Sequence, residues 1–203
     1  MDARERQLRS IETRFETRED GDKLHIAGYF AVFNSVYEIG PGMTESVAPG
    51  AFAKALAGGD IRALVNHDRT LVLGRTKAGT LELREDSRGL WGDITINPND
   101  RGAMDLYERV KRGDVDQCSF GFDEPFSEDT EVRDDGSVHW TLTEVSLQEV
   151  SACTFPAYKE TNISARAAER DDLKARALAA WKERTKERVK QHGTEGASAE
   201  EAD

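Results

Sequence analysis

The chain has 203 residues, of which 37% are hydrophobic, and a mean hydropathy of -0.66. It is long enough for one domain of ordinary size with a buried core, plus a more polar remainder. The net charge is -11, and residues 166–203 contain nine basic and nine acidic residues, so the acidic excess lies within residues 1–165. An acidic body argues against nucleic-acid binding, which requires a basic surface. It is compatible with basic protein substrates, although its simplest effect is solubility.

The reactive and metal-binding residue types are sparse. Cys118 and Cys153 are too few for a disulfide framework, and no Cys-x-x-Cys pattern is present. The histidines form no cluster with ligand spacing: His25, His67, His139 and His192. We therefore expect no metal and no cofactor. The N-terminus lacks an apolar signal region, and no run approaches the ~20 apolar residues of a membrane span. The expected location is a reducing cytoplasm, without membrane contact.

The first half of the chain predicts mostly strands. Residues 1–20 are highly charged and are expected to fray. The alternation from Lys23 to Phe33 predicts a strand, and Gly40–Gly42 predicts a loop. A short helix is predicted at Ala51–Leu56, between Pro49 and the Gly58-Gly59 pair. Further strands separated by turns are predicted at Ile61–Val65, Leu71–Arg75, Thr80–Arg84 and Leu90–Ile96.

The second half begins with an amphipathic helix. Its apolar residues fall at i, i+3, i+4 and i+7, and they are Ala103, Leu106, Tyr107 and Val110. Asn99-Asp100 supplies an N-cap and Gly113 a stop. A strand containing Ser119 follows. A hairpin turn is predicted at Asp134–Gly136 and a long last strand at Thr141–Thr154, which Pro156 ends.

The C-terminal segment has a different composition. Arg166–Lys190 has no glycine or proline and predicts a helix, whereas Thr194–Asp203 is expected to be disordered. The apolar stripe of this helix is thin and consists of Leu173, Ala177, Leu178 and Trp181. Two interpretations are open: a solvated terminal helix, or an assembly helix that docks on partners through Trp181.

These elements predict a β-rich α+β fold. Short strands with glycine turns favour a closed or nearly closed barrel with a few helices around it. The predicted organisation is a charged N-terminal segment at 1–20, a catalytic domain at 21–165, and a helical, then disordered, tail at 166–203.

Ser119 is a candidate nucleophile because of its position in an apolar strand. With a period of two, Cys118, Phe120 and Phe122 share a core-like face, while Ser119 and Gly121 share the other. That second face presents a hydroxyl beside a glycine, which leaves room for a substrate backbone. Cys118 is the rival nucleophile, but its side chain points with the phenylalanines, as a core residue does.

His67 and Glu149 are the candidate base and base-orienting acid. His67 follows an apolar strand, and a neutral imidazole can take the serine proton near neutral pH. Glu149 lies in an apolar strand, where a carboxylate needs a polar partner. Ser, His and a carboxylate are the three parts of acyl-transfer catalysis. Glu144 and His139 remain alternatives for the third position.

An ordered set of short motifs resembles a known family. The set comprises Gly28–Asn34, Val47–Phe52, Asn66–Asp68, Ser119–Phe122, Glu149–Ser151 and Thr154–Ala157. In this order, over roughly residues 20–165, it is similar to the prohead (capsid maturation) proteases of HK97-type tailed phages. The resemblance implies a serine endopeptidase related in fold to the herpesvirus assembly proteases, with a barrel ringed by helices. It also implies that His67 and Ser119 are the catalytic pair. Because the herpesvirus relatives use a second histidine, His139 stays open beside Glu149.

The function implied by this resemblance is cleavage of phage assembly proteins. The expected substrates are the major capsid protein and scaffold inside the assembling prohead in the host cytoplasm, and self-cleavage and a homo-oligomer are also expected. A non-catalytic scaffolding module on the same fold is the alternative. A serine esterase is a third hypothesis, but the residues around Ser119 do not form the Gly-x-Ser-x-Gly elbow of that class. Backbone amides near Ser119 or Gly121, or an arginine, are the candidates for stabilising the oxyanion.

Overall fold

The computed structural model of the protein describes residues 7–12, 15–155, 169–180, 182–184 and 186. Its strands form two sheets. The larger sheet contains β1 (Gln7–Glu12), β4 (Tyr37–Gly40), β5 (Met43–Val47), β6 (Arg62–Val65), β7 (Asp68–Arg75), β10 (Gln117–Val132) and β11 (Val138–Cys153). The smaller contains β2 (Glu16–Asp20), β3 (Lys23–Val32), β8 (Leu81–Glu85) and β9 (Gly89–Ile96).

The strand β11 organises the larger sheet. It pairs along its length with β10 in an antiparallel hairpin, whose turn at Asp134–Gly136 was predicted. On its other side, the first part of β11 pairs with β5 and the last part with β6, both in parallel. The sheet order is therefore β1-β10-β11-β5-β4, with β6 and β7 attached to the end of β11.

The prediction of a closed or nearly closed barrel is wrong. Within the residues that the structure describes, the strand orders β1-β10-β11-β5-β4 and β2-β3-β9-β8 are both open, and no pairing joins the two sheets. Instead the two sheets contribute side chains to one shared core, which includes Phe120 and Phe122 from β10 and Ile26 and Phe30 from β3. Short strands with glycine turns are equally typical of this sandwich-like packing.

The helices agree with their local signals. The helix α2 (Arg101–Arg112) buries the four predicted apolar residues, its N-cap Asp100 accepts bonds from two backbone amides, and Gly113 ends it at φ 88°. The first helix is shorter than expected, a single turn at α1 (Ala53–Leu56). A 3₁₀ turn (Thr76–Ala78) links β7 to β8. No helix of the described residues is long and apolar enough to cross a membrane.

One sequence expectation near the N-terminus is wrong, and two strands that follow it were not predicted. Residues 1–20 were expected to fray, yet β1 and β2 lie there and pair with β10 and β3. The loop predicted at Gly40–Gly42 is present as the tight turn of a hairpin, but the strands β4 and β5 on either side of it are not predicted. These strands were missed because they are short or polar, and because β1 and β5 pair with strands that lie far along the chain, β10 and β11.

The C-terminal helix covers residues 169–180 in the structure. Leu173 packs on a small cluster formed by Ile39, Met43, Val138 and Trp140, next to Tyr37. The guanidinium of Arg170 donates to the carbonyl of Pro41 at 2.7 Å. The helix therefore contacts the β4–β5 hairpin through its first turns. Trp181 and the tail at Thr194–Asp203 lie outside the described residues.

This contact predicts an effect of Leu173 on stability. Leu173→Ala should lower the free energy of unfolding by about 1 kcal/mol, because a half-buried leucine loses part of its apolar burial. Leu178→Ala is the matched control, since Leu178 lies in the same helix and is 52% exposed. Urea denaturation measures both. Equal midpoints for the two variants would show that the helix does not stabilise the body.

Candidate active site

His67 lies in a strained turn between β6 and β7. Asn66 and His67 both have left-handed backbone angles, with φ values of 49° and 61°. Two such residues give the turn that matches the twist of a two-residue hairpin, and strain of this kind is concentrated at functional sites. Three bonds fix the turn to β11: the Asn66 amide donates to the carbonyl of Ala152 (2.9 Å), the Thr154 amide donates to Asn66 Oδ1 (2.9 Å), and the His67 amide donates to Ser151 Oγ (3.2 Å).

The structure brings His67 and Glu149 into direct contact. The distance from His67 Nδ1 to Glu149 Oε1 is 2.6 Å, and Ser151 Oγ donates to the other carboxylate oxygen at 2.6 Å. A carboxylate only accepts, so Nδ1 donates its hydrogen to Glu149, and in the neutral imidazole Nε2 then carries the lone pair. Glu149 is 1% exposed, and these two bonds compensate for its desolvation. The imidazole is therefore oriented as a base.

Cys153 lies at the base nitrogen. Its Sγ is 3.7 Å from His67 Nε2. Burial, followed by the charge of Glu149, raises the pKa of Cys153 to about 12. The thiol therefore stays protonated at neutral pH, with the Ser151 carbonyl at 3.8 Å as an acceptor, and it is a poor nucleophile in spite of its position.

Ser119 lies one strand away from this pair. It is opposite Ser151 in the β10–β11 register, and paired residues project to the same face of a sheet. Its hydroxyl is buried and donates to the backbone carbonyl of Arg9 at 2.7 Å. Cys118 faces the core, as its alternation predicts, and its thiol donates to the carbonyl of Tyr29 at 2.7 Å.

His139 lies far from His67. It is ten residues before Glu149 on the same strand, which corresponds to about 33 Å. Its ring nitrogens contact Thr44 Oγ1 at 2.8 Å and Ser46 Oγ at 2.9 Å, and burial lowers its pKa. This geometry favours Glu149 over His139 as the partner of His67.

The remaining candidates form ion pairs elsewhere. Glu144 accepts from Lys54 at 2.8 Å at an exposed position. Arg75 binds Asp60 through two bonds of 2.7 and 2.5 Å, and this contact holds the pKa of Asp60 at about 2. Arg75 is thus an ion-pair residue of the surface, outside the contact between His67 and Glu149.

Three site residues are not singled out by the sequence pattern: Arg9, Ser151 and Cys153. Ser151 and Cys153 could have been found, because they follow Glu149 at a spacing of two and so share its face of the strand. Arg9 could not, since nothing local in a charged N-terminal segment predicts its pairing with β10.

A family model agrees with this architecture. Residues 10–176 match the model described as the caudovirus prohead serine protease. The chain belongs to this prohead protease family. The prohead protease of Enterobacteria phage HK97 is 31% identical over 157 residues, an overlap of 76% of this chain and 65% of that relative. The chain therefore spans somewhat less than two thirds of the length of that prohead protease.

A solved structure is similar in fold. The capsid assembly protease of bacteriophage T4, gp21, superposes with a TM-score of 0.50 at 12% identity, covering 76% of this chain and 100% of that chain. At this identity the likeness concerns the fold alone. It supports the two-sheet arrangement of this chain.

The environment of Cys153 predicts slow alkylation. At pH 8 a thiol with a pKa of about 12 is ionised to a fraction of about 10⁻⁴, against about 10⁻¹ for an ordinary cysteine. Iodoacetamide should therefore modify Cys153 of the native protein at least about 100-fold more slowly than in urea, as measured by peptide mass mapping. Glu149→Gln should accelerate the native reaction because it removes a repelling charge, whereas Glu144→Gln should not. Equal native and unfolded rates would contradict this environment.

Proposed function

We propose that this protein is a serine endopeptidase that cleaves capsid and scaffold proteins during prohead maturation. Ser119 is the nucleophile, His67 the base and then the acid, and Glu149 the group that orients His67. No cofactor takes part. The observation that carries the proposal is the 2.6 Å contact between His67 Nδ1 and the buried carboxylate of Glu149, one strand from Ser119.

The reaction follows from this arrangement. Nε2 of His67 takes the proton of Ser119 as the hydroxyl attacks a peptide carbonyl, and it then protonates the leaving amine. Glu149 stabilises the imidazolium that forms in between. Gly121 is opposite Glu149 in the register, and its missing side chain leaves space beside the nucleophile for the substrate backbone.

Family membership supports the place of action. We expect the protein to act inside the assembling prohead in the host, on the major capsid protein and the scaffold. We also expect a homo-oligomer, which gel filtration with light scattering would measure.

One observation favours a non-catalytic scaffolding module as the second candidate. The hydroxyl of Ser119 donates to the Arg9 carbonyl, and the contact at His67 Nε2 is made by the thiol of Cys153. A fluorophosphonate probe separates the two functions, because only an activated serine reacts covalently with it. Labelling of Ser119 supports a hydrolase, and a peptide library then separates a protease from an esterase.

The catalytic assignment predicts a graded loss of activity. Ser119→Ala and His67→Ala should each reduce cleavage of the co-expressed capsid protein by at least about 1000-fold, because such residues act as a unit. Glu149→Gln should give a loss roughly 100-fold smaller, since the amide still accepts a hydrogen bond but lacks the charge. Mass mapping of the new termini measures the rate.

Ser46→Ala and Glu144→Gln are the matched controls. Ser46→Ala removes the hydroxyl that contacts His139, and Glu144→Gln removes an exposed carboxylate; both should keep activity within about twofold. Cys153→Ala should also remain active. An active Ser119→Ala variant combined with an inactive Cys153→Ala variant would assign the nucleophile to the thiol instead.

A further inference from the structure

The N-terminal strand β1 occupies the edge of β10 at the candidate nucleophile. It runs antiparallel to β10, with Ser10 directly opposite Ser119. Among the strand pairings of the described residues, β10 has β11 on one side and β1 on the other, and β1 is the last strand of the sheet. The hydroxyl of Ser119 donates to the Arg9 carbonyl at 2.7 Å. A backbone carbonyl of the chain itself therefore lies at the hydroxyl that the proposed reaction uses.

The side chain of Arg9 enters an acidic pocket. Arg9 is 4% exposed, and its guanidinium binds both carboxylate oxygens of Glu45, with an Nη2–Oε2 distance of 2.8 Å. Its Nη1 donates to the carbonyl of Leu8 at 2.9 Å, and the guanidinium carbon lies 5.4 Å from the ring centroid of Phe122. Glu45 itself is 0% exposed and also accepts from the hydroxyl of Tyr37.

This pocket is suited to a basic side chain. A carboxylate that accepts two parallel hydrogen bonds from a guanidinium recognises both the planar shape and the positive charge of that group. A buried carboxylate without a cation has a large desolvation penalty. A neutral or acidic side chain in this pocket would leave Glu45 in that state, so the pocket discriminates against such side chains. Extended peptides commonly bind by adding a strand to a sheet edge, where backbone bonds hold the peptide and side-chain pockets select its sequence.

We propose that β1 occupies the place of the substrate strand. Glu45 selects an arginine or lysine immediately before the cleaved bond, and Arg9–Ser10 is the first bond that the site receives. This inference rests on the proposed function, and it names the sequence class of the substrate and the state of the site before cleavage.

The cleavage balances without a co-reactant other than water. Ser119 Oγ attacks the carbonyl carbon of Arg9, and its proton passes to His67 Nε2. The bond from that carbon to the Ser10 nitrogen breaks, and the nitrogen takes the proton from His67. Water then hydrolyses the ester, which restores Ser119 and releases residues 1–9 with a free carboxylate on Arg9. The acidic pocket and one stretch of the β10 edge are then open to other chains.

The first test is the mass of the N-terminus of the full chain. Wild type should lose residues 1–9 on incubation and begin at Ser10, whereas Ser119→Ala should stay intact. A wild-type protein that cleaves a peptide spanning residues 4–15 and reacts with a fluorophosphonate, yet keeps its Arg9–Ser10 bond, would overturn the inference and leave the proposed function standing. A protein that reacts with neither the peptide nor the probe would instead refute the proposed function.

The second test addresses the pocket. Peptides spanning residues 4–15, with arginine, lysine or methionine at the position of Arg9, are given to the wild-type protein, and cleavage between positions 9 and 10 is followed by mass. The arginine and lysine peptides should have a kcat/KM at least tenfold above that of the methionine peptide. Equal kcat/KM values for the three peptides would show that Glu45 does not select the residue before the cleaved bond.

Substitutions of Arg9 in the full chain make the same comparison with a matched pair of variants. Arg9→Lys should keep self-cleavage, and Arg9→Met should slow it at least tenfold, with circular dichroism verifying that both are folded. Because the peptide experiment uses the wild-type protein, the inference stays testable if Arg9→Met does not fold. Self-cleavage of Arg9→Met at the wild-type rate would overturn the role of the pocket.

Discussion

The antiparallel pairing of β10 with β11 is the constraint on which the candidate site depends. Its register sets Ser119 opposite Ser151 and Gly121 opposite Glu149. Because β11 also pairs with β6, the turn that carries His67 is fixed to the same strand as Glu149. A slip of β10 by one residue against β11 would move the hydroxyl of Ser119 to the core face and bring the phenylalanines of β10 to the site, while Glu149 stayed in place.

Buried carboxylates are the second organising feature, and each has a dedicated partner. Glu149 has the imidazole of His67, and Glu45 has the guanidinium of Arg9. In the smaller sheet, Asp93 contacts His25 Nδ1 at 2.6 Å. Burying an isolated carboxylate costs far more free energy than burying one of these pairs. Each acid therefore restricts the position of the strand or turn that carries its cationic or imidazole partner. The carboxylate of Glu149 also contributes to keeping the thiol of Cys153 protonated.

Local patterns predicted the parts of the fold that are locally determined. The helix α2 carries its cap, its periodicity and its stop within 14 residues, and the Asp134–Gly136 turn is encoded by its own residues. The contact of His67 with Glu149 was also expected, since a carboxylate in an apolar strand needs a polar partner. Its catalytic meaning stays a prediction.

The remaining features depend on distant pairings that no local pattern contains. The strand β5 reads as a polar loop because Thr44, Glu45 and Ser46 are polar, yet each is hydrogen-bonded to a residue outside its own hairpin. The strand β1 is similarly polar and gains its order from β10. A barrel closes only if the edge strands of the two sheets pair with each other. Short strands and glycine turns do not determine whether they do.

The left-handed backbone at His67 has a consequence for how the site behaves in time. A side chain on an ordinary loop must lose conformational freedom each time a reaction begins, and that loss of entropy raises the activation free energy. Here the turn is fixed to β11 at Asn66 and at the His67 amide, and the ring is fixed at Nδ1. The imidazole is thus immobilised once, when the chain folds, and no turnover of the proposed reaction has to repeat that ordering.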